Sequence, residues 1–484
     1  MSGKFRLAIR LLYLMVIVVF IAAACRASDS VVPVAMSPTP SLPPVNVTPA
    51  TRVMSDTELA TATPVVDLLP LAENTAMPVE AGELPEPCGV LLRPVPQAAV
   101  SGSSPIKLSE TIGAALQSQV PSGAWPALDK LLDAPGSVAL VAFQAGRESD
   151  GIYLNPDMAM PLASVAKVIT LVAYAEAVAA GELDPLEVVS LAELERYYLP
   201  NFDLGAHRRA VDDLGEKGHI LTPDDDPAVL LSDVARMMVE YSSNAAADYL
   251  QLRLGQTRIE ETAIALGMND APASHSAPCV FLGQFLMMAN HIRTTGDQAL
   301  LTSVARGDSD VAAAFGQELA MLADTYINQA DFRQAEQEWR AETRRPSINV
   351  QRYFAGNLAP QGTAGAYAAL MLRLAQNGLS NADSSYQARL ILEWPNQFPA
   401  NQELFSNVGY KNGSLPGVLT TAYYAYRWGD AAPVVVILFY RDLPQQTYRQ
   451  WRYDLPHDEL ARWLLADPAA IPALATALRV AKGP

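Results

Sequence analysis

Cysteine and histidine are scarce: the 484 residues contain three of the first and five of the second. Cys25, Cys88 and Cys279 are too few and too scattered for a disulfide framework or a thiolate metal site. Cys88 and Cys279 are compatible with one bridge or with two free thiols. His207, His219, His275, His291 and His457 have no ligand spacing with one another, so neither a metal nor another cofactor is expected. A basic excess is also missing. Thirty-four Lys and Arg stand against 51 Asp and Glu, a net charge of −17, which argues against nucleic acid as a partner. Charged residues are only 18% of the chain and hydrophobic ones 50%, enough apolar material for a folded globule of one to three domains.

The one uninterrupted apolar run near the start, Leu11 to Ala24, is short for a membrane span. Lys4, Arg6 and Arg10 precede it, and the small residues Ala22, Ala23 and Ala24 lead into Cys25. This is the anatomy of an export signal over residues 1–25. The Ala-Ala-Cys junction resembles a bacterial lipoprotein processing site, which implies lipidation of Cys25. A secreted form or a retained signal anchor is the alternative. Either way the expected location is extracytoplasmic, in the cell envelope, with the membrane as a partner through the anchor. Residues 26–95 are rich in Pro and Thr with no lasting apolar period, and read as a tether.

Order is expected from about residue 107 to 484. Residues 108–132 have helical character interrupted near Pro121, and Ser137 to Phe143 and Ile152 to Leu154 read as strands. Asp226-Pro227 signals a helix over Ala228 to Glu240. Helices are also expected across Leu282 to Arg340 and Gly365 to Gln376, and strands return at Phe405 to Tyr410, Leu419 to Trp428 and Val434 to Tyr440. A last helix starts at Asp458. Strands from both chain ends around a helical middle imply an α/β (α+β) fold: one antiparallel sheet flanked by helices, plus a helical lobe.

Three segments carry chemistry. Ser164 and Lys167 form a Ser-x-x-Lys at the head of a helix that is apolar almost all round, so both side chains lie on one face. A serine needs a base to become nucleophilic, and a buried lysine loses its charge and can act as that base. Ser242 and Asn244 stand on a break between two helices, which puts a hydroxyl and an amide on one turn. Lys411 and Gly413 follow a strand, offering a cation and a close backbone approach; Lys-Asn-Gly is equally an ordinary hairpin turn.

Ser-x-x-Lys, Ser-x-Asn and Lys-x-Gly in this order resemble the penicillin-recognising serine hydrolases, and the class A β-lactamases above all. The resemblance runs from about Ser137 to the C-terminus and includes Leu230 to Leu250 and Leu358 to Leu379. It implies that Ser164 is the nucleophile, Lys167 its base and Ser242 the relay to the leaving nitrogen. Asn244 and Lys411 would hold the substrate, Gly413 would admit it, and the N–H groups of Ser164 and Ser414 would form the oxyanion hole.

The chain departs from that family in three places. Ser242 and Lys411 are unusually far apart, which points to a helical insertion at about 282–345. Asn412 replaces a hydroxyl residue. The family's deacylating glutamate has no counterpart in Ser347 to Asn357; Glu338 and Glu342 are the nearest acids upstream. The expected activity is β-lactam hydrolysis through an acyl-serine. The alternatives are a D,D-carboxypeptidase or penicillin-binding protein acting on peptidoglycan peptides ending in D-Ala-D-Ala, and a non-catalytic envelope module on the same fold.

Overall fold

Val138–Gln144 (β1) is apolar at every position but its last, and its alternate residues serve two cores. Ala139, Val141 and Phe143 face one; Val138, Leu140 and Ala142 face the other. A strand buried on both sides needs neighbours on both edges. In chain order the remaining strands are β2 (Ile152–Leu154), β3 (Met160–Pro161), β4 (Val188–Ser190), β5 (Ala228–Leu230) and β6 (Gln361–Gly362). They end with β7 (Phe405–Leu415), β8 (Val418–Arg427) and β9 (Val434–Tyr440). Five of them form one sheet in the order β2-β1-β9-β8-β7. Every pairing in it is antiparallel, as expected from strands at both chain ends.

The coordinates are a computed structural model, which describes residues 104–482 except 223–225, 269–279, 296–308 and 343–347. Cys25, the export signal, the tether, Cys88, Cys279 and His275 lie outside the described residues. The chain divides into Met1–Pro70 and Leu71–Pro484, and everything below belongs to the second unit.

The helices used below are α1 (Glu110–Gln117), α2 (Trp125–Asp133), α3 (Lys167–Ala179), α4 (Ala206–Glu216), α5 (Leu231–Val239), α6 (Asn244–Leu254) and α7 (Phe281–Thr295). They continue with α8 (Ser309–Asn328), α9 (Ala330–Glu342), α10 (Ile348–Asn357), α11 (Ala364–Ala375), α12 (Ala382–Leu392), α13 (Gln445–Asp454), α14 (Pro456–Ala466) and α15 (Ala470–Lys482). Residues of α1, α2, α14 and α15 cover the sheet face that includes Leu140 and Leu438. Residues of α3, α5, α6 and α11 pack in the core that includes Val141 and Ile437. Helix α3 runs through that core, and ten of its residues, Lys167 among them, are buried.

Several local expectations are corrected. Ala228–Leu230 is a strand paired with Val188–Ser190, and the helix starts only at Leu231. Pro227 opens no helix; its carbonyl accepts from Leu191 N at 2.7 Å. A distant strand partner outweighs the local cap signal there. Lys411 to Ser414 are no hairpin turn. They lie inside β7, paired with Ala422 to Leu419, and the turn falls at Pro416 and Gly417, whose φ of +84° suits glycine. The last helix is two, α14 and α15, parted where Asp467 Oδ1 accepts from Ala469 N.

Candidate active site

The turn that carries Ser164 is held from two sides. Pro161 in β3 pairs with Gln361 in β6, and Leu162 N donates to Pro360 O at 2.9 Å. From the sheet, Thr420 Oγ1 donates to Leu162 O at 2.8 Å. Between these anchors Ala163 adopts φ 48°, a left-handed conformation that costs an alanine about 1 kcal/mol and persists only where surroundings impose it. Ser164 follows in the single 3-10 turn Ala163–Ala166, and α3 begins at Lys167.

Gly413 shows why β7 comes so close. A Cβ there would stand 2.6 Å from Ser164 N and 2.8 Å from Ala163 Cβ, and would also collide with Thr420 Oγ1. Only glycine lets the edge strand lie against the Ser164 turn, so the expected close approach at Gly413 is made by the protein's own backbone.

Lys167 is fully buried, and its Nζ donates to Ser242 O at 2.7 Å, Asn244 Oδ1 at 2.8 Å and Ser242 Oγ at 3.3 Å. The turn between α5 and α6 builds this cage. Ser242 takes φ 67°, and Ser243 caps α6 by accepting from Ala246 N. Lys411 is buried too, and its Nζ donates to Ser242 Oγ at 3.0 Å and Asn412 O at 2.8 Å. The Ser242 hydroxyl thus bridges two lysines. Among the described residues no hydrogen bond joins Ser164 Oγ to Lys167. Ser414 Oγ, on the same strand, shares a hydrogen bond with Tyr448 Oη at 2.9 Å.

Burial governs the charges. It lowers Lys167 to about 7, partly opposed by the nearby carboxylates Asp248 and Asp203. Lys411 is pushed well below its ordinary value, first by burial and then by repulsion from Lys167. Repulsion between the two lysines thus adds to burial at Lys411, while desolvation is the largest cause at Lys167.

Ser164, Ser242, Asn244, Gly413 and Ser414 line one cavity of about 370 Å³. Lys167 and Lys411 stand behind its wall. The structure brings all seven sequence-derived positions together, in segments separated by most of the chain.

Sequence reasoning missed Asp248. It is fully buried in α6, and burial raises it to about 7 although it accepts from Phe281 N at 2.8 Å and Leu282 N at 2.7 Å. It therefore caps α7 and sets a carboxylate near Lys167. Its signal, one Asp after three alanines, was too weak to single out. His207 is buried with Nδ1 3.0 Å from Ser243 Oγ, behind the cage turn. His457 does line the cavity, where burial lowers it to about 4.

The acids lining the cavity are Asp203 and Glu240. Asp203 accepts from Gly205 N and His207 N at the start of α4. Glu240 accepts from Gln397 Nε2 at 2.9 Å and lies 3.8 Å from Lys217. Both are engaged in scaffolding. Helix α10, where the family resemblance implies a glutamate, presents Ile348, Gln351, Phe354 and Ala355 to the neighbouring cavity. Of the upstream acids, Glu338 accepts from Gln334 within α9. Among the described residues no three His, Cys, Asp or Glu side chains are grouped as a metal site.

A Ser-x-x-Lys whose lysine is buried at a helix start, a Ser-x-Asn turn and a Lys-x-Gly strand around one cavity define a serine hydrolase of the β-lactamase and penicillin-binding kind. The model of the β-lactamase enzyme family matches residues 126–452, and the chain belongs to that family. No curated protein matches. Among solved structures, a β-lactamase from Sphaerobacter thermophilus is 16% identical with a TM-score of 0.40, covering 72% of this chain and 99% of its own. A β-lactamase from Desulfarculus baarsii is 14% identical with a TM-score of 0.39, covering 77% and 98%. A mutant of PBP-A, solved as an acyl-enzyme complex with penicillin G, is 13% identical with a TM-score of 0.36, covering 78% and 98%.

Proposed function

We propose that the protein is an exported hydrolase that opens β-lactams through an acyl-serine at Ser164. The observation that carries this reading is the lysine cage: Lys167 is buried, lowered to about 7 and held by Ser242 and Asn244. A lysine neutral at physiological pH is a base in the range where proton transfer is efficient. In the proposed step Ser164 Oγ attacks the lactam carbonyl and its proton passes to Lys167. The backbone N–H groups of Ser164 and Ser414 hold the oxyanion. The C–N bond breaks as Ser242, linked to both lysines, passes a proton to the departing nitrogen. Water then hydrolyses the ester.

The last step favours a second reading. Helix α10 presents Gln351 and apolar side chains to the cleft, while Asp203 and Glu240 are tied into the scaffold. Slow release of the acyl group fits a D,D-carboxypeptidase or penicillin-binding protein that acts on peptidoglycan peptides. A chromogenic cephalosporin separates the two. Many turnovers per enzyme support a β-lactamase, and one burst equal to the enzyme concentration supports the peptidase. A fluorescent penicillin that labels the protein but not Ser164→Ala supports both over a non-catalytic module. The open cavity at Ser164 is what favours catalysis.

A further inference from the structure

His207 has no part in the proposed chemistry, yet its ring is buried directly behind the lysine cage. Helix α4 carries it in the first turn, where Asp203 accepts from its backbone N–H at 2.8 Å. The ring stacks on Tyr198, with centroids 4.9 Å apart. Nδ1 lies 3.0 Å from Ser243 Oγ, and Nε2 faces Glu195 Oε1 at 3.5 Å. Glu195 ends the short helix Leu191–Glu195 and is half-buried, with Arg208 4.0 Å from its other oxygen.

The position of the ring proton follows from Ser243. Its hydroxyl oxygen already accepts from Ala246 N at 3.1 Å as the cap of α6. Its one proton needs an acceptor, because a buried donor without one costs about 1–3 kcal/mol. Among the described residues His207 Nδ1 is the side-chain acceptor within reach. The Ser243 hydroxyl therefore donates to Nδ1, and the ring proton sits on Nε2, towards the Glu195 carboxylate. Ser243 also stands between the two residues that hold Lys167. Ser242 O and Asn244 Oδ1 accept from Nζ, and Ser242 keeps its φ of 67° only because neighbours fix the turn. One anchor of that turn is Ser243 N, which donates to Met237 O at 3.0 Å; the hydroxyl bond to His207 is another. Resting on the acyl-serine reading, we propose that His207 is a positioning residue. By accepting the Ser243 hydroxyl, it fixes the turn that presents Ser242 and Asn244 to Lys167. Its side chain lines neither of the cavities beside Ser164, so it acts through the turn alone.

Two substitutions in the full-length protein separate this role from packing. His207→Asn keeps an acceptor near the Nδ1 position but loses ring volume. His207→Leu keeps most of the volume and accepts no hydrogen bond. Penicillin acylation is followed from about pH 5.5 to about pH 9.5 in each. His207→Asn should stay within about twofold of the unmutated rate, with the same midpoint. His207→Leu should lose about tenfold at neutral pH, the size of one lost hydrogen bond. Its midpoint should also move upward, because a loosened cage admits water to Lys167. A His207→Leu profile equal to the unmutated one, or a Leu variant faster than the Asn variant, overturns the proposal. Should neither variant fold, the unmutated protein still decides. Nitrogen NMR of its histidine rings at about pH 7.5 should find His207 protonated on Nε2 alone, and a proton on Nδ1 overturns the proposal. Unmutated protein that labels at no pH sinks the acyl-serine reading. The ring proton is measured independently of that reading, so the two failures are told apart.

Discussion

Lys167 is where burial and chemistry meet most sharply. Its lowered pKa predicts that acylation rises with pH through about 7, as the ammonium gives up its proton. Stopped-flow labelling from about pH 5.5 to about pH 8.5 would show the limb; a flat profile contradicts it. Lys167→Arg should cut acylation by about a thousandfold, because a guanidinium stays charged. Stability carries the same signature. Between pH about 7 and 10.5 the folded chain holds fewer protons at this site than the unfolded chain, so this group makes stability rise with pH in that window. Urea midpoints of the protein and of Lys167→Met should differ in that slope. Asp248→Ala should cost about 1–3 kcal/mol by leaving two buried N–H groups at the α7 start without their acceptor. Of these residues only Lys167 was legible in the sequence, because Ser-x-x-Lys on an apolar helix is a pattern. Asp248 was not: what makes it matter is a contact with residues 33 and 34 positions away.

At the scale of elements, β7 and the turn before α3 form one unit. Gly413→Ala should lower labelling by at least about tenfold and destabilise the fold by about 1–3 kcal/mol, since the added Cβ meets Ser164 N at 2.6 Å. Thermal melts and labelling rates of the same preparation read both effects. Normal labelling by that variant would mean that strand and turn are not pressed together. Sequence patterning located β1, β8, β9 and α11 well, because alternation and helical periodicity are local properties. It shortened β7 and read Ala228–Leu230 as helix, since both outcomes depend on strand partners elsewhere in the chain. Helices α4, α12 and α13 carried no comparable sequence signal, and α4 supplies His207 behind the cage turn.

At the scale of the whole molecule, the proposal is a hydrolase tethered outside the cytoplasm. Mass spectrometry of the mature protein from a bacterial host should find a lipidated Cys25 at its N-terminus, and Cys25→Ala should lose that modification. The fold was readable because strands at both chain ends closing one sheet is a global pattern. The fate of the acyl group was not readable, because it depends on which side chains face the cleft across distant helices. The central claim is that Ser164 forms a covalent acyl-enzyme. Intact-mass measurement after incubation with penicillin G tests it most directly. One added penicilloyl mass per chain, located to the Ser164 peptide and missing in Ser164→Ala, is the predicted result. An unchanged mass at saturating penicillin, or an adduct that persists in Ser164→Ala, would contradict it.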